Sequence, residues 1–245
     1  MRFGIMADIH ANLEALTVAL NVFGEEKVDQ IICLGDVIGY NANPVECLSI
    51  IMERRIPCIK GNHERHILGE KSETLKEDTD KVLAWTKEQL SMEQTSFIIT
   101  EMPNKMLHES GFLIAHGSPR NKDEYLLKLH SFVANLKFME EKYPDIRICF
   151  HGHTHLPSIM AKGHIAQDFT KDTLIELYPD RQYLINPGSI GQPRDQCPLT
   201  SFGIYDEDKL TFQFYRRPYD IATTQEKILK AGISPRLAER LALGK

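Results

Sequence analysis

Residues 3–38, FGIMADIHANLEALTVALNVFGEEKVDQIICLGDVI, decide the fold. The apolar run FGIMA stops at a polar loop containing Asp8 and His10, NLEALTVALNVF follows with helical spacing, and QIICL stops at a second polar loop containing Asp36. This is a β-α-β unit. The theme continues through PVECLSIIMERR, a helix that Pro44 opens, into IPCIK, which runs directly into GNHERH. Three parallel strands thus end in three short loops rich in Asp, Asn, His and Gly. Ligands bind at the carboxyl ends of strands in open α/β sheets, so these loops are expected to meet at one site.

Further along, residues 71–100 are charged and helical, with DKVLAWTKEQL and SMEQTSFII as two short helices that cap a site or cover a sheet face. KMLHESGFLIAHG reads as a hairpin turning at Ser110 and Gly111, with His116 ending its second strand. The helix SFVANLKFMEEKY and the strand IRICF then lead into HGHTH. From Leu156 onward strand-like alternation dominates, which predicts a second, largely antiparallel sheet, followed by two short helices after Tyr219. The expected architecture is α/β: two packed mixed β-sheets flanked by helices, a four-layer α/β/β/α sandwich. It forms a single domain over residues 1–245, with 71–100 as a helical insertion or cap near the site.

Composition excludes several functions. The chain has 245 residues, 42% hydrophobic and 26% charged, and a formal charge of −5, without long runs of one sign. A broad electrostatic footprint for nucleic acid or an anionic membrane is therefore absent, and an anionic substrate must be attracted locally. The first apolar stretch is too short for a signal peptide and no segment reaches the length of a membrane span, so a cytoplasmic location is expected. Five scattered cysteines, Cys33, Cys47, Cys58, Cys149 and Cys197, contain no CxxC pair and read as reduced, apolar side chains.

The chemistry is carried by the loop residues taken together: Asp8, His10, Asp36, Asn62, His63, His116, His153 and His155. Any one D-x-H or G-D fragment is weak evidence, but five at five predicted strand ends are a pattern. Oxygen and imidazole donors without thiolate suit two divalent transition ions, among Mn, Fe, Zn, Ni and Co, and two such ions call for one shared carboxylate. Flanking glycines permit the close backbone approach this requires.

In this order the fragments D-x-H, G-D, G-N-H-E, H and G-H-x-H resemble the calcineurin-like metallophosphoesterase superfamily over Asp8 to His155. The later NPGSIGQPR is similar to its small branch related to the YfcE phosphodiesterases and the diadenosine tetraphosphate hydrolases. The resemblance implies that Asp8, His10 and His155 hold one metal, that Asn62, His116 and His153 hold the other, and that Asp36 bridges them. Mn is the favoured ion. His63 is left to face the substrate as the general acid, with an electrostatic role as the alternative. The implied reaction is hydrolysis of a small phosphodiester or dinucleoside polyphosphate, a nucleotide among the candidates, by metal-activated hydroxide.

Alternatives are a phosphomonoesterase, or a non-catalytic metal-binding interaction module of the kind found in the retromer subunit on this fold. The chain lacks the D-R-G extension after G-D of the protein phosphatases, having GDVIGYNANP instead, and lacks the duplex-binding additions of the repair nucleases. Arg194, in GQPRD, is either a phosphate fork or a solvated loop residue, and Arg65 either lines the pocket or starts a surface helix. Glu64 is either a partner orienting a histidine or a helix cap.

Overall fold

The computed structural model describes residues 1–70, 76–161, 164–167 and 169–245. In chain order its first half contains β1 (Arg2–Met6), α1 (Leu13–Glu25), β2 (Gln30–Cys33), α2 (Pro44–Glu53), α3 (Asn62–Ile67), α4 (Glu77–Gln89), α5 (Met92–Thr100), β3 (Lys105–Leu107) and β4 (Leu113–Ala115). The second half adds α6 (Leu129–Lys142), β5 (Ile148–Phe150), β6 (Ser158–Ala161), β7 (His164–Ala166), β8 (Thr173–Glu176), β9 (Tyr183–Asn186), β10 (Thr200–Asp206), β11 (Thr211–Arg217), α7 (Ile221–Lys230) and α8 (Pro235–Glu239). A 3-10 turn at Arg240–Leu243 ends the chain.

Local chemistry sets the helix starts. The Asn12 side chain accepts the Ala15 amide at 3.1 Å and starts α1, Pro44 opens α2 as the sequence predicts, and Ser91 with Gln94 forms a reciprocal capping box on α5. The two helices expected within 71–100 are α4 and α5, while residues 71–75 of that stretch lie outside the described residues.

Two mixed sheets form, one in the order β2-β1-β10-β11-β8 and the other β3-β4-β5-β9-β6-β7. Only β1·β2, β4·β5 and β5·β9 pair in parallel among the named strands. Alternation along β1 sends Phe3 and Ile5 into the core between the sheets and Met6 into the core beneath α1 and α2. On the outer face of the other sheet, Leu113, Cys149 and Leu184 pack against Phe132, Leu136 and Met139 of α6. The layers are therefore α/β/β/α, as expected.

Two expectations need correction. The strands after Leu156 do not make a sheet of their own: β6, β7 and β9 extend the sheet of β4 and β5, whereas β8, β10 and β11 extend that of β1 and β2. IPCIK does not form a full third strand either, since only Cys58 bridges Cys33. Pro57 has no amide hydrogen to donate to a ladder, and its carbonyl accepts from Cys33 at 2.9 Å. Among the described residues all five cysteines are free, and no helix is long and apolar enough to cross a membrane.

Candidate metal centre

The loops that leave β1, β2, the Cys58 bridge, β4, β5 and β9 converge. Their backbones interlock: the amides of Asp8, His10 and Ala11 donate to the carbonyls of Gly35, Asp36 and Val37 at 3.1, 2.9 and 2.7 Å, and Gly152 donates to His116 at 2.8 Å. Asp8, His10, Ala11, Asp36, Tyr40, His153 and His155 all have φ between 48° and 69°, the left-handed region that L-residues avoid. A Cβ on Gly152 would lie 2.9 Å from Asp8 Oδ2, so the histidine loop can approach that carboxylate only through glycine.

Glu64 answers both of its sequence readings in an unexpected way. Its buried carboxylate accepts the amides of Gly61 at 2.7 Å, Asp36 at 3.0 Å, Val37 at 2.8 Å and Ile38 at 3.2 Å. It caps α3 and clamps the Asp36 loop in place; it orients backbone rather than a histidine ring.

The side chains gather accordingly. Ligand atoms of Asp8, His10 and His155 lie within 4.8 Å of one another, as do those of Asp36, His116 and His153, and those of His10, Asp36 and His63. Asn62 Oδ1 lies 3.1 Å from His116 Nε2. Asp36 Oδ2 stands 3.6 Å from His10 Nε2 and 3.3 Å from His116 Nε2, between the first two groups.

Second contacts fix the ring orientations. Nδ1 faces a backbone carbonyl in His10 (Ile38, 3.2 Å), His116 (Leu34, 2.9 Å) and His155 (Gln192, 2.6 Å), which turns each Nε2 inward. His10 Nε2 and His155 Nε2 then face each other at 3.0 Å, and buried His153 Nε2 has no hydrogen-bond partner among the described residues. Inward-facing imidazole lone pairs at that separation repel unless a cation or proton lies with them, so the donor set fits a metal ion.

Burial pulls His10, His153 and His155 well below the ordinary histidine range, keeping them neutral and able to ligate. His116 resists the same burial because Asp36 lies against it, and it is raised to about 9. Burial lifts Asp8 to about 7, and His63 falls to about 4, again chiefly through burial. The His63 Nδ1 sits 3.2 Å from the Ile38 carbonyl, its amide donates to Asp36 Oδ1 at 2.9 Å, and its ring lies 4.5 Å from that of His10.

His151 stays out of the cluster, buried behind it with Asn186 Nδ2 3.4 Å away. Arg65 is buried, and its guanidinium bonds the Asp123 carboxylate and the Lys60 carbonyl. It ties α3 to the loop after β4, while its buried Nε meets no hydrogen-bond partner among the described residues. Arg194 stands at the rim, its Nη2 3.0 Å from Gln192 Oε1 and 3.4 Å from the Tyr40 hydroxyl.

Sequence reading passed over Tyr40 and Tyr125. The Tyr40 ring lies 4.5 Å from the rings of both His10 and His63, and Tyr125 packs 3.8 Å from that of His153. Position after GDVIG was the only available signal for Tyr40. α4 reaches the same place through Leu83, whose Cδ2 lies beside Gly39 together with the His63 ring.

The chain is similar in sequence and fold to known proteins. An uncharacterized protein of Methanocaldococcus jannaschii is 32% identical over 247 residues, 98% of this chain and 97% of that protein. The crystal structure of a metallophosphoesterase from Sphaerobacter thermophilus matches with a TM-score of 0.84 at 31% identity, covering 100% of this chain and 99% of that one. A hypothetical protein from Pyrococcus horikoshii OT3 shares the fold, with a TM-score of 0.82 at 19% identity over 100% and 98% of the two chains. The family model described as the calcineurin-like phosphoesterase superfamily domain matches residues 1–209, which include every loop of the converging centre. Fold, buried Asp/His clusters and family match agree, and the chain belongs to the calcineurin-like phosphoesterase superfamily.

Proposed function

We propose that the protein is a dinuclear-metal-dependent phosphoesterase that hydrolyses a small phosphodiester or a dinucleoside polyphosphate. The observation that carries this reading is Asp36 Oδ2, one carboxylate oxygen set between His10 and His116 at 3.6 and 3.3 Å. Asp8, His10 and His155 hold one ion, Asn62, His116 and His153 hold the other, and Asp36 serves both. The donors are oxygen and imidazole, which suits borderline divalent ions, with Mn the first to test. Bound there, such ions draw in and polarise a phosphate ester and acidify water enough to yield a nucleophile near neutral pH.

The chain's own groups do the rest. Asp8 and Asp36 supply anionic ligands, and the carbonyls of Ile38, Leu34 and Gln192 keep the imidazoles turned inward. His63, held by the Ile38 carbonyl beside His10, is our candidate to protonate or hydrogen-bond the departing oxygen. A negative phosphoryl group seated beside its ring favours the imidazolium form and opposes the effect of burial. With a net charge of −5, attraction of an anionic substrate falls to this local centre.

The test is metal analysis of the pure protein, joined to turnover with added Mn on a bis-aryl phosphodiester, an aryl phosphomonoester and a dinucleoside tetraphosphate. Bound metal and diester or polyphosphate hydrolysis are expected. His63→Ala should keep its metal and lose about 100-fold or more in rate, whereas Asp36→Ala should lose metal. No metal and no turnover on any substrate would overturn the reading, whereas bound metal without turnover would favour the non-catalytic metal-binding module.

A further inference from the structure

On the side of His10 and His155, the rim of the centre carries two buried hydrogen-bond donors that meet no acceptor among the described residues. The Arg194 main chain is fixed there by its amide, 3.3 Å from the His155 carbonyl. Its guanidinium lies over the Tyr40 ring, 5.7 Å from the centroid, and that ring touches His10 and His63. Arg194 is thus one aromatic ring away from the ligand cluster. Arg194 Nε and Gln192 Nε2 are both buried and meet no partner among the described residues, and Gln192 as a whole is fully buried. A buried amide or guanidinium donor left without an acceptor is costly, which points to an acceptor arriving with a ligand.

Arg240 brings a second guanidinium. The C-terminal turn that carries it is tied to the Arg194 loop by the Gln196 amide, 2.8 Å from the Gly244 carbonyl, and Ala238 and Leu241 beside it share a hydrophobic cluster with Tyr40. Burial and the charge of Arg194 both draw the Arg240 guanidinium below its ordinary range. Its Nε donates to the Lys245 main-chain oxygen. Among the described residues no side-chain carboxylate pairs with Arg194 or Arg240, and Asp195, next in sequence, is turned to Arg216. The tie between their segments brings the two positive side chains to the same side of the centre, where a bound anion would relieve their mutual repulsion, and guanidinium forks match phosphate oxygens.

We propose that Arg194, Gln192 and Arg240 form an anion subsite that receives a second phosphate of the substrate, so that the centre favours pyrophosphate- or polyphosphate-linked substrates over a lone phosphodiester. The substrate preference rests on the phosphoesterase reading; the anion site does not. Calorimetric titration of inorganic phosphate and of inorganic pyrophosphate into protein stripped of metal by a chelator tests the site alone. Both should bind, and Arg194→Lys and Arg240→Gln, checked for wild-type unfolding midpoints, should each weaken binding by about 10-fold or more.

With Mn added, the ratio of kcat/KM for a dinucleoside tetraphosphate to that for a bis-aryl phosphodiester should fall by about 10-fold in each variant. Equal anion affinity in variants and wild type overturns the subsite. A ratio that stays constant while both rates fall overturns the substrate preference. Anion binding that depends on the arginines in a protein without turnover on any substrate supports the subsite and refutes only the phosphoesterase reading.

Discussion

Gly61→Ala isolates the placement of Asp36 from every other property of the centre. Gly61 has φ −85° and ψ −172°, a conformation open to alanine, so the substitution adds a contact and no backbone strain. A Cβ there would lie 2.5 Å from the Asp36 amide nitrogen and 2.6 Å from its Cγ, where ordinary contact begins at 3.4 Å. Asp36 Oδ1 would lie closer still, so one segment must retreat by more than about 0.9 Å. Neither can do so freely: the Glu64 carboxylate holds the amides of Gly61 and Asp36 together, at 2.7 and 3.0 Å, and the His63 amide holds Asp36 Oδ1 at 2.9 Å.

Displacing the oxygen that faces both His10 and His116 should weaken Mn binding by about 10- to 100-fold, and overpacking should cost about 1–3 kcal/mol of stability. Mn titration by calorimetry reads the first effect, and urea unfolding of the metal-free protein the second. A folded Gly61→Ala protein that takes two equivalents of Mn with wild-type affinity would refute the assignment of Asp36 to both ions.

Asp123→Ala leaves the Arg65 guanidinium, fully buried, without its carboxylate; urea unfolding should report a loss of about 3–5 kcal/mol, and a loss below 1 kcal/mol would show that water reaches Arg65. Glu64→Ala removes the acceptor of four buried amides and should cost at least about 2 kcal/mol in the same measurement, more than Glu64→Gln, which keeps one amide oxygen. Burial pushes the Glu124 carboxyl up, but hydrogen bonds from Arg120, Asn135 and Ser118 outweigh it and bring it from the ordinary 4.5 to about 2. The folded value lies below the unfolded one, so the stabilisation is present above pH 4.5 and disappears as pH falls towards 2. Glu124→Gln should flatten stability against pH in that window, and thermal unfolding curves with equal slopes for both proteins would contradict the ion pair.

What the sequence made legible follows from distance along the chain. Asp8, Asp36, Asn62, His116, His153 and His155 each sit just past an apolar run beside a glycine or a tight turn, so local pattern placed them at strand ends, and parallel topology placed the ends together. Alternation after Leu156 marked strands with two faces but carried no record of which sheet each would join. Pairings such as Ile5 with Gly203 connect the two ends of the chain, and no local signal encodes them. The helix cap at Glu64 was readable, but its clamp on the Asp36 loop and the role of Gln192 were hidden for a different reason: Glu64 acts there on main-chain amides and Gln192 through its main-chain carbonyl, and neither contact leaves a mark on the sequence of its partner.

The late NPGSIGQPR motif has a mechanical role that explains its place beside the ligands. Left-handed φ at Asp8, His10 and Ala11 costs about 1 kcal/mol or more at each residue, so the first loop cannot hold its shape alone. Ser189 Oγ donates to the Asp8 carbonyl at 2.8 Å and accepts the Gln192 amide at 2.9 Å, while the amides of Ile190 and Gly191 donate to Ala7 and Asp8 at 3.0 and 2.9 Å. Asn186 adds bonds of 2.9 and 3.0 Å to Gly152 and Thr154 of the histidine loop. One segment thus braces the aspartate loop on one side and the histidine loop on the other. Its continuation inherits that rigidity, so Gln192 and Arg194 stand at a fixed place against His155, as the proposed anion subsite would require.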